Sequence, residues 1–146
     1  MQQLGHHGTG ASEISSVAGM NPYASPWDVY LRKVGEAPEL ESTPPMEWGH
    51  RLEPAIRQKY SDDTGHKIHV PTESLFHPLH KWARATPDGI ALAGQFAWLH
   101  IVQCKNVGPW VEKAWSAAPP AHVRLEEQGE MFAPGLERAD APEAYG

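Results

Sequence analysis

Four residues of this chain have types and spacing that suit hydrolysis of a phosphodiester: Glu53, Asp88, Gln103 and Lys105. Carboxylates hold a hard divalent cation, which polarises a phosphate and lowers the pKa of an attacking water. A lysine beside them orients that water and stabilises charge on the phosphorane. Asp88 stands in the turn Thr86-Pro87-Asp88-Gly89, and Gln103 and Lys105 are two apart, so one strand face would carry both. Each residue also has an ordinary reading. Asp88 is a turn former, Glu53 a solvated helix residue, Lys105 a surface strand lysine and Gln103 a structural amide.

Bringing these residues together requires a helix for Glu53 and a hairpin for the other three. Trp48, Leu52, Ile56 and Tyr60 recur every four residues and predict a helix over 46–63, with Gly65 at its C-terminal cap. Pro54 inside it predicts a kink or a separate first turn. Beyond Gly65 the pattern becomes strand-like over 67–76, 81–85, 90–93 and 96–105, with a turn near Gly94-Gln95. Leu99, Ile101, Gln103 and Lys105 then share a face of the last strand. With 85–92 and 99–105 as the hairpin arms, Asp88 falls opposite residues 101–103, within about 5–8 Å. Three further helices are expected. Ser12 caps a short one over 13–18, Ser25-Pro26 starts one that carries Trp27, Tyr30 and Leu31, and one over 122–132 stops at Pro134-Gly135.

The chain of 146 residues, with 40% hydrophobic and 21% charged side chains, fits one domain with a core of its own. The expected division is a domain over 1–140 and a loose tail over 141–146. No internal repeat is visible. Cys104 is the single cysteine, which excludes an intramolecular disulfide and a cysteine zinc cluster and suggests a reducing, cytoplasmic setting. No signal peptide or membrane span is expected, because no basic n-region leads into an apolar run and no long apolar stretch occurs. The formal charge of −6 argues against a uniformly basic nucleic-acid coat, yet carboxylates gathered around a metal leave room for local phosphate contacts. His66-x-x-His69 and His77-x-x-His80 lack the i, i+4 spacing of a helical zinc pair and read as loop residues. Arg51, Arg57 and Arg124 are either solvated or phosphate contacts, and Trp110 and Trp115 are the best-placed tryptophans for stacking on DNA.

The segments TGASEI, NPYASPWDVYL, MEWGHRLEPAIRQKY, ATPDGI and IVQCKN, in that order and at these separations, resemble the YqaJ viral recombinase family. Its members are relatives of phage lambda exonuclease within the PD-(D/E)XK nucleases. The likeness covers roughly residues 8–140. It implies an α/β fold of the restriction-endonuclease type, a mixed central sheet flanked by helices. It also implies Mg²⁺-dependent or Mn²⁺-dependent 5′-to-3′ resection of double-stranded DNA ends in phage-type recombination. A single-strand annealing protein is the implied partner, homo-oligomerisation is a further expectation, and the setting is the cytoplasm of a bacterium or infected host.

By motif, Asp88 matches the family's metal-binding aspartate, Lys105 its catalytic lysine and Glu53 the helix glutamate beside the metal. Gln103 stands where the family usually carries a metal-binding glutamate. The amide oxygen still suits Mg²⁺, but one negative charge is lost. Glu126, at the position of the first glutamine of a QxQ helix, is a candidate to supply a carboxylate. The DNA-contact candidates are Ser12, Glu126, Trp110 and Arg51. Relatives usually carry a phosphate-pairing arginine upstream of Ser12, whereas this chain has Gly5, His6 and His7 there. The chain ends at Gly146, where relatives continue, so a fold shortened at its C-terminus is expected. Two alternatives to end resection stay open: a degenerate relative that binds DNA or a partner without cutting, and a nonspecific endonuclease.

Overall fold

A computed structural model describes residues 8–95, 97–107, 115, 118–136, 139–140 and 143–145. It begins with β1 (Thr9–Gly10) and α1 (Ala11–Val17). The cap of α1 is Gly10, two residues before the expected Ser12, because the Glu13 carboxylate reaches back to accept the Gly10 amide at 2.7 Å. Lys33 Nζ holds the same carboxylate at 2.8 Å. Burial disfavours ionised Glu13, but the Lys33 and Gly10 hydrogen bonds outweigh it and keep this carboxyl below its ordinary pKa. Ser12 is thereby freed from capping and its side chain is exposed.

Helix α2 (Pro26–Lys33) starts as its sequence requires. Ser25 Oγ accepts the Asp28 amide at 3.2 Å and Asp28 Oδ2 accepts the Ser25 amide at 2.7 Å, a reciprocal cap. Its buried residue is Val29; Trp27 and Tyr30, spaced i, i+3, stack on each other in solvent at 5.2 Å. Helix α3 (Pro44–Thr64) runs unbroken through Pro54, so the separate first turn is not formed; the proline forfeits only its own bond back to the carbonyl four residues earlier. Gly65 closes α3 at φ +74°, a left-handed conformation that only glycine takes without cost. Of the four-residue stripe, Ile56 is buried while Trp48 stays exposed.

Strands β2 (Lys67–His69), β5 (Gly89–Ala93), β6 (Ala97–Val102) and β8 (Ala139–Asp140) form one sheet in the order β2-β5-β6-β8. Its first two pairings are antiparallel and the last is parallel. A second sheet sets β4 (Ala83–Ala85) between β1, parallel, and β3 (Leu75–Phe76), antiparallel. The strand expected over 67–76 is thus two strands in different sheets, separated by a loop through Pro71. Ile90, Ile101 and Val102 are fully buried at the centre of the first sheet.

The strand expected over 96–105 breaks after Val102 and resumes as β7 (Lys105–Val107), which pairs in parallel with β9 (Glu143–Tyr145). The break has a local cause. The Cys104 amide, which a continuous strand would commit to its ladder, donates instead to Asp88 Oδ2 at 2.7 Å.

The last helix, α4 (Ala121–Phe132), packs on α1 and β4. Gly129 permits the approach, since a Cβ there would lie 3.2 Å from Ala11 Cα and drive into the Ile14 side chain. Ala11, Ala85 and Ala133 fill the junction with small side chains. The described residues therefore make a mixed α/β fold with helices flanking the sheets. Among them, no helix is long and apolar enough to cross a membrane.

Candidate active site

The close packing of α1 and α4, and the strand break at residues 103 and 104, open a cavity of about 590 Å³ between α1, α3, α4 and the ends of β4 and β5. Glu53, Asp88, Gln103 and Lys105 all line it, as do Ser12 and Glu126. Arg51 does not line it; its guanidinium lies over the Trp48 ring, 5.7 Å from the centroid, on the outer face of α3. Trp110 lies outside the described residues.

Register places Asp88 where the hairpin expectation put it. Gly89 pairs with Val102, so Asp88 meets the chain where β6 ends, and its carboxylate takes the Cys104 amide. Burial pushes its pKa up to about 6, the Cys104 hydrogen bond opposes the rise, and nearby Glu53 adds to it. Glu53 is held on α3 between His50 Nδ1 at 2.8 Å and Arg57 Nη1 at 3.6 Å. Arg57 also donates to the Asp88 carbonyl at 3.2 Å, which ties α3 to the turn carrying the aspartate. The Cys104 thiol is pushed up to about 12 by burial and by the Asp88 charge, so it is no nucleophile near neutral pH.

On the opposite wall, Lys105 Nζ pairs with Glu126 Oε2 at 2.9 Å. The Gln103 amide, 7% exposed, has its orientation assigned from its neighbours: both ends are satisfied only with the nitrogen donating to Glu130 Oε2 at 2.6 Å and Oε1 at 2.9 Å. Its oxygen then accepts from Lys105 Nζ at 3.2 Å. Glu130 is 3% exposed, and burial, reinforced by the charges of Glu126 and Asp88, raises its pKa to about 8.

Sequence reasoning passed over two of the lining residues. Glu130 reads as one more acidic position on an amphipathic helix, and only its four-residue spacing from Glu126 hints that both face one way. Arg84, in β4, reads as a surface strand residue. Its side chain is part-buried on the cavity wall and its Nε lacks a hydrogen-bond partner among the described residues.

The cavity therefore gathers four carboxylates, from Glu53, Asp88, Glu126 and Glu130, against Lys105 and Arg84. Among the described residues, no three histidine, cysteine, aspartate or glutamate side chains form a ready-made metal cage. Mg²⁺ does not demand one, because it keeps several waters and commonly takes only one or two carboxylates. Asp88 has no ion-pair partner among the described residues, so a divalent cation would offset a charge that burial leaves poorly compensated. The donor set fits a hard cation with oxygen ligands.

A family model for the YqaJ-like viral recombinase domain matches residues 2–136. The chain belongs to this family. It is 28% identical over 109 residues to the uncharacterized protein YqaJ of Bacillus subtilis, a match that covers 74% of this chain and 33% of YqaJ. The YqaJ-like chain thus spans a third of that relative's length. Its fold is that of an alkaline exonuclease, LHK-Exo, from Laribacter hongkongensis: TM-score 0.73 at 21% identity, covering 96% of this chain and 70% of that one. The structure of LHK-Exo in complex with dAMP matches equally well, with a TM-score of 0.74 at 21% identity over 94% of this chain and 69% of that one.

Proposed function

We propose that this YqaJ-like chain is a metal-dependent deoxyribonuclease that hydrolyses phosphodiester bonds at double-stranded DNA ends, resecting in the 5′-to-3′ direction. The observation that carries the reading is the convergence of Asp88, Gln103, Lys105 and Glu53 in one cavity, from three separate segments, in a member of a recombinase family with an exonuclease fold.

Asp88 and the Gln103 oxygen are the groups that would hold Mg²⁺ or Mn²⁺, with Glu53 beside them. The chemistry such an ion supplies is Lewis-acid polarisation of a phosphoryl oxygen and a lowered pKa for water. The rest falls to the chain. Lys105, fixed between Glu126 and the Gln103 oxygen, presents its ammonium to the attacking water and to the charge gathering on the phosphate. Arg84 and the exposed Ser12 sit on the same wall and suit the flanking phosphates. Double-stranded DNA ends are the proposed partner, and a single-strand annealing protein the proposed recipient of the product.

A second reading, a relative that binds DNA without cutting it, is favoured by the amide at Gln103. Degradation of linear 5′-phosphorylated duplex DNA in Mg²⁺ and in Mn²⁺ decides between them, with Asp88→Ala and Lys105→Ala alongside. The expected result is digestion of linear DNA, intact closed circles, and loss of about 10²–10³-fold or more in each variant. Digestion of closed circles would make the chain an endonuclease. Inertness of the wild type in both metals would leave the binding reading.

A further inference from the structure

A glutamine at a ligand position presents an oxygen that suits a hard cation and a nitrogen that repels one, and the two exchange by a half-turn of the amide. Its neighbours decide which one faces the site. Here the neighbour is Glu130, on a different element, and both of its oxygens lie within 2.9 Å of the Gln103 nitrogen. With the amide turned the other way, its nitrogen would meet the Lys105 ammonium, donor against donor. The arrangement leaves the Gln103 oxygen toward Lys105 and the cavity. Glu130 is 3% exposed and Gln103 7%, so water does not loosen the pair.

We propose that Gln103 and Glu130 act as one unit: Glu130 is a positioning residue that holds the amide nitrogen and thereby locks the amide oxygen toward the cavity. The inference rests on the nuclease reading above and concerns how that site retains a divalent cation. It also reverses a simple intuition. Gln103→Glu alone would set two carboxylates in contact where an amide and a carboxylate now pair, and like charges that close do not both ionise. The exchange Gln103→Glu with Glu130→Gln rebuilds the pair in mirror image.

The test is Mn²⁺ titration of the full chain without DNA, followed by the electron paramagnetic resonance of the free ion, with thermal melting in EDTA for every variant. Glu130→Gln is expected to weaken Mn²⁺ binding by about 10–100-fold at near-equal melting temperature, the usual range for loss of a ligand-orienting partner. Gln103→Glu alone is expected to bind more weakly than wild type. The exchange variant is expected to recover to within about threefold of wild type, a coupling that a purely structural role for Glu130 would not produce. Wild-type affinity in Glu130→Gln, or an exchange variant no tighter than the weaker single variant, would overturn the pairing. A folded wild type that binds no Mn²⁺ would overturn the nuclease reading itself.

Discussion

Asp88 separates the bland reading of the Pro-Asp-Gly turn from the chemical one, because the two demand opposite energetics. A turn former stabilises the fold. A ligand kept ready for a cation costs stability until the cation arrives. The Asp88 carboxyl has a pKa of about 6 in the folded chain against an ordinary value of 3.8. Between those values the folded state holds a proton that the unfolded state has lost, so stability falls as pH rises through this window. Above it, the ionised carboxylate costs up to about 3 kcal/mol. Asp88→Asn keeps an oxygen for the Cys104 amide and removes the charge. In EDTA at pH 8 the variant is expected to be more stable than wild type by about 1–3 kcal/mol, with the gap closing below the ordinary aspartate pKa. Chemical denaturation at several pH values reads this directly. A less stable variant at pH 8 would return Asp88 to the role of turn former.

At the scale of elements, what locates the site is the distance between α1 and α4, and Gly129 sets it. Glu126 and Glu130 enter the cavity because α4 lies close enough to α1 for any Cβ at 129 to crowd Ala11 and Ile14. Gly129→Val is expected to cost about 1–3 kcal/mol through overpacking. It should also weaken divalent-metal binding, since α4 carries the partners of Gln103 and Lys105. Unchanged melting and unchanged Mn²⁺ affinity would mean that the junction yields without moving the helix.

The same scale explains what could be read from the residues alone. Local signals specified α2 through Ser25-Pro26, α3 through Gly65, the hairpin that turns at Gly94, and α4 up to its proline stop. That hairpin placed Asp88 against the end of β6, and family motifs marked Glu53, Gln103 and Lys105, so the grouping of these four residues around one cavity was legible. The break at residues 103 and 104 was not, because a backbone amide diverted to a distant carboxylate leaves no trace in strand periodicity. Glu130 was hidden for a similar reason: it lies against Gln103, on a separate segment earlier in the chain, and helix periodicity does not report such a contact. Trp27, Tyr30 and Trp48 misled the periodicity, since aromatic side chains at helical spacing read as core whether or not anything covers them.

For the whole molecule, the net charge of −6 and the carboxylates of Glu53, Asp88 and Glu126 in the cavity set a condition on DNA binding. A phosphate approaching the metal-free cavity meets more negative than positive charge, and repulsion in a partly buried site is weakly screened by salt. The charge of Lys105 is shared with Glu126 and so offsets only part of this repulsion. Divalent cations should therefore be needed for association as well as for the proposed cleavage. Ca²⁺, which takes oxygen ligands readily, serves as the probe. Fluorescence anisotropy of a labelled blunt duplex is expected to show at least about tenfold tighter binding in Ca²⁺ than in EDTA at matched ionic strength, a ratio worth about 1.4 kcal/mol. Asp88→Asn should narrow that ratio by strengthening binding in EDTA, as one repelling charge is gone. Equal affinity in Ca²⁺ and EDTA, unmoved by Asp88→Asn, would mean that the duplex lies on another face of the molecule.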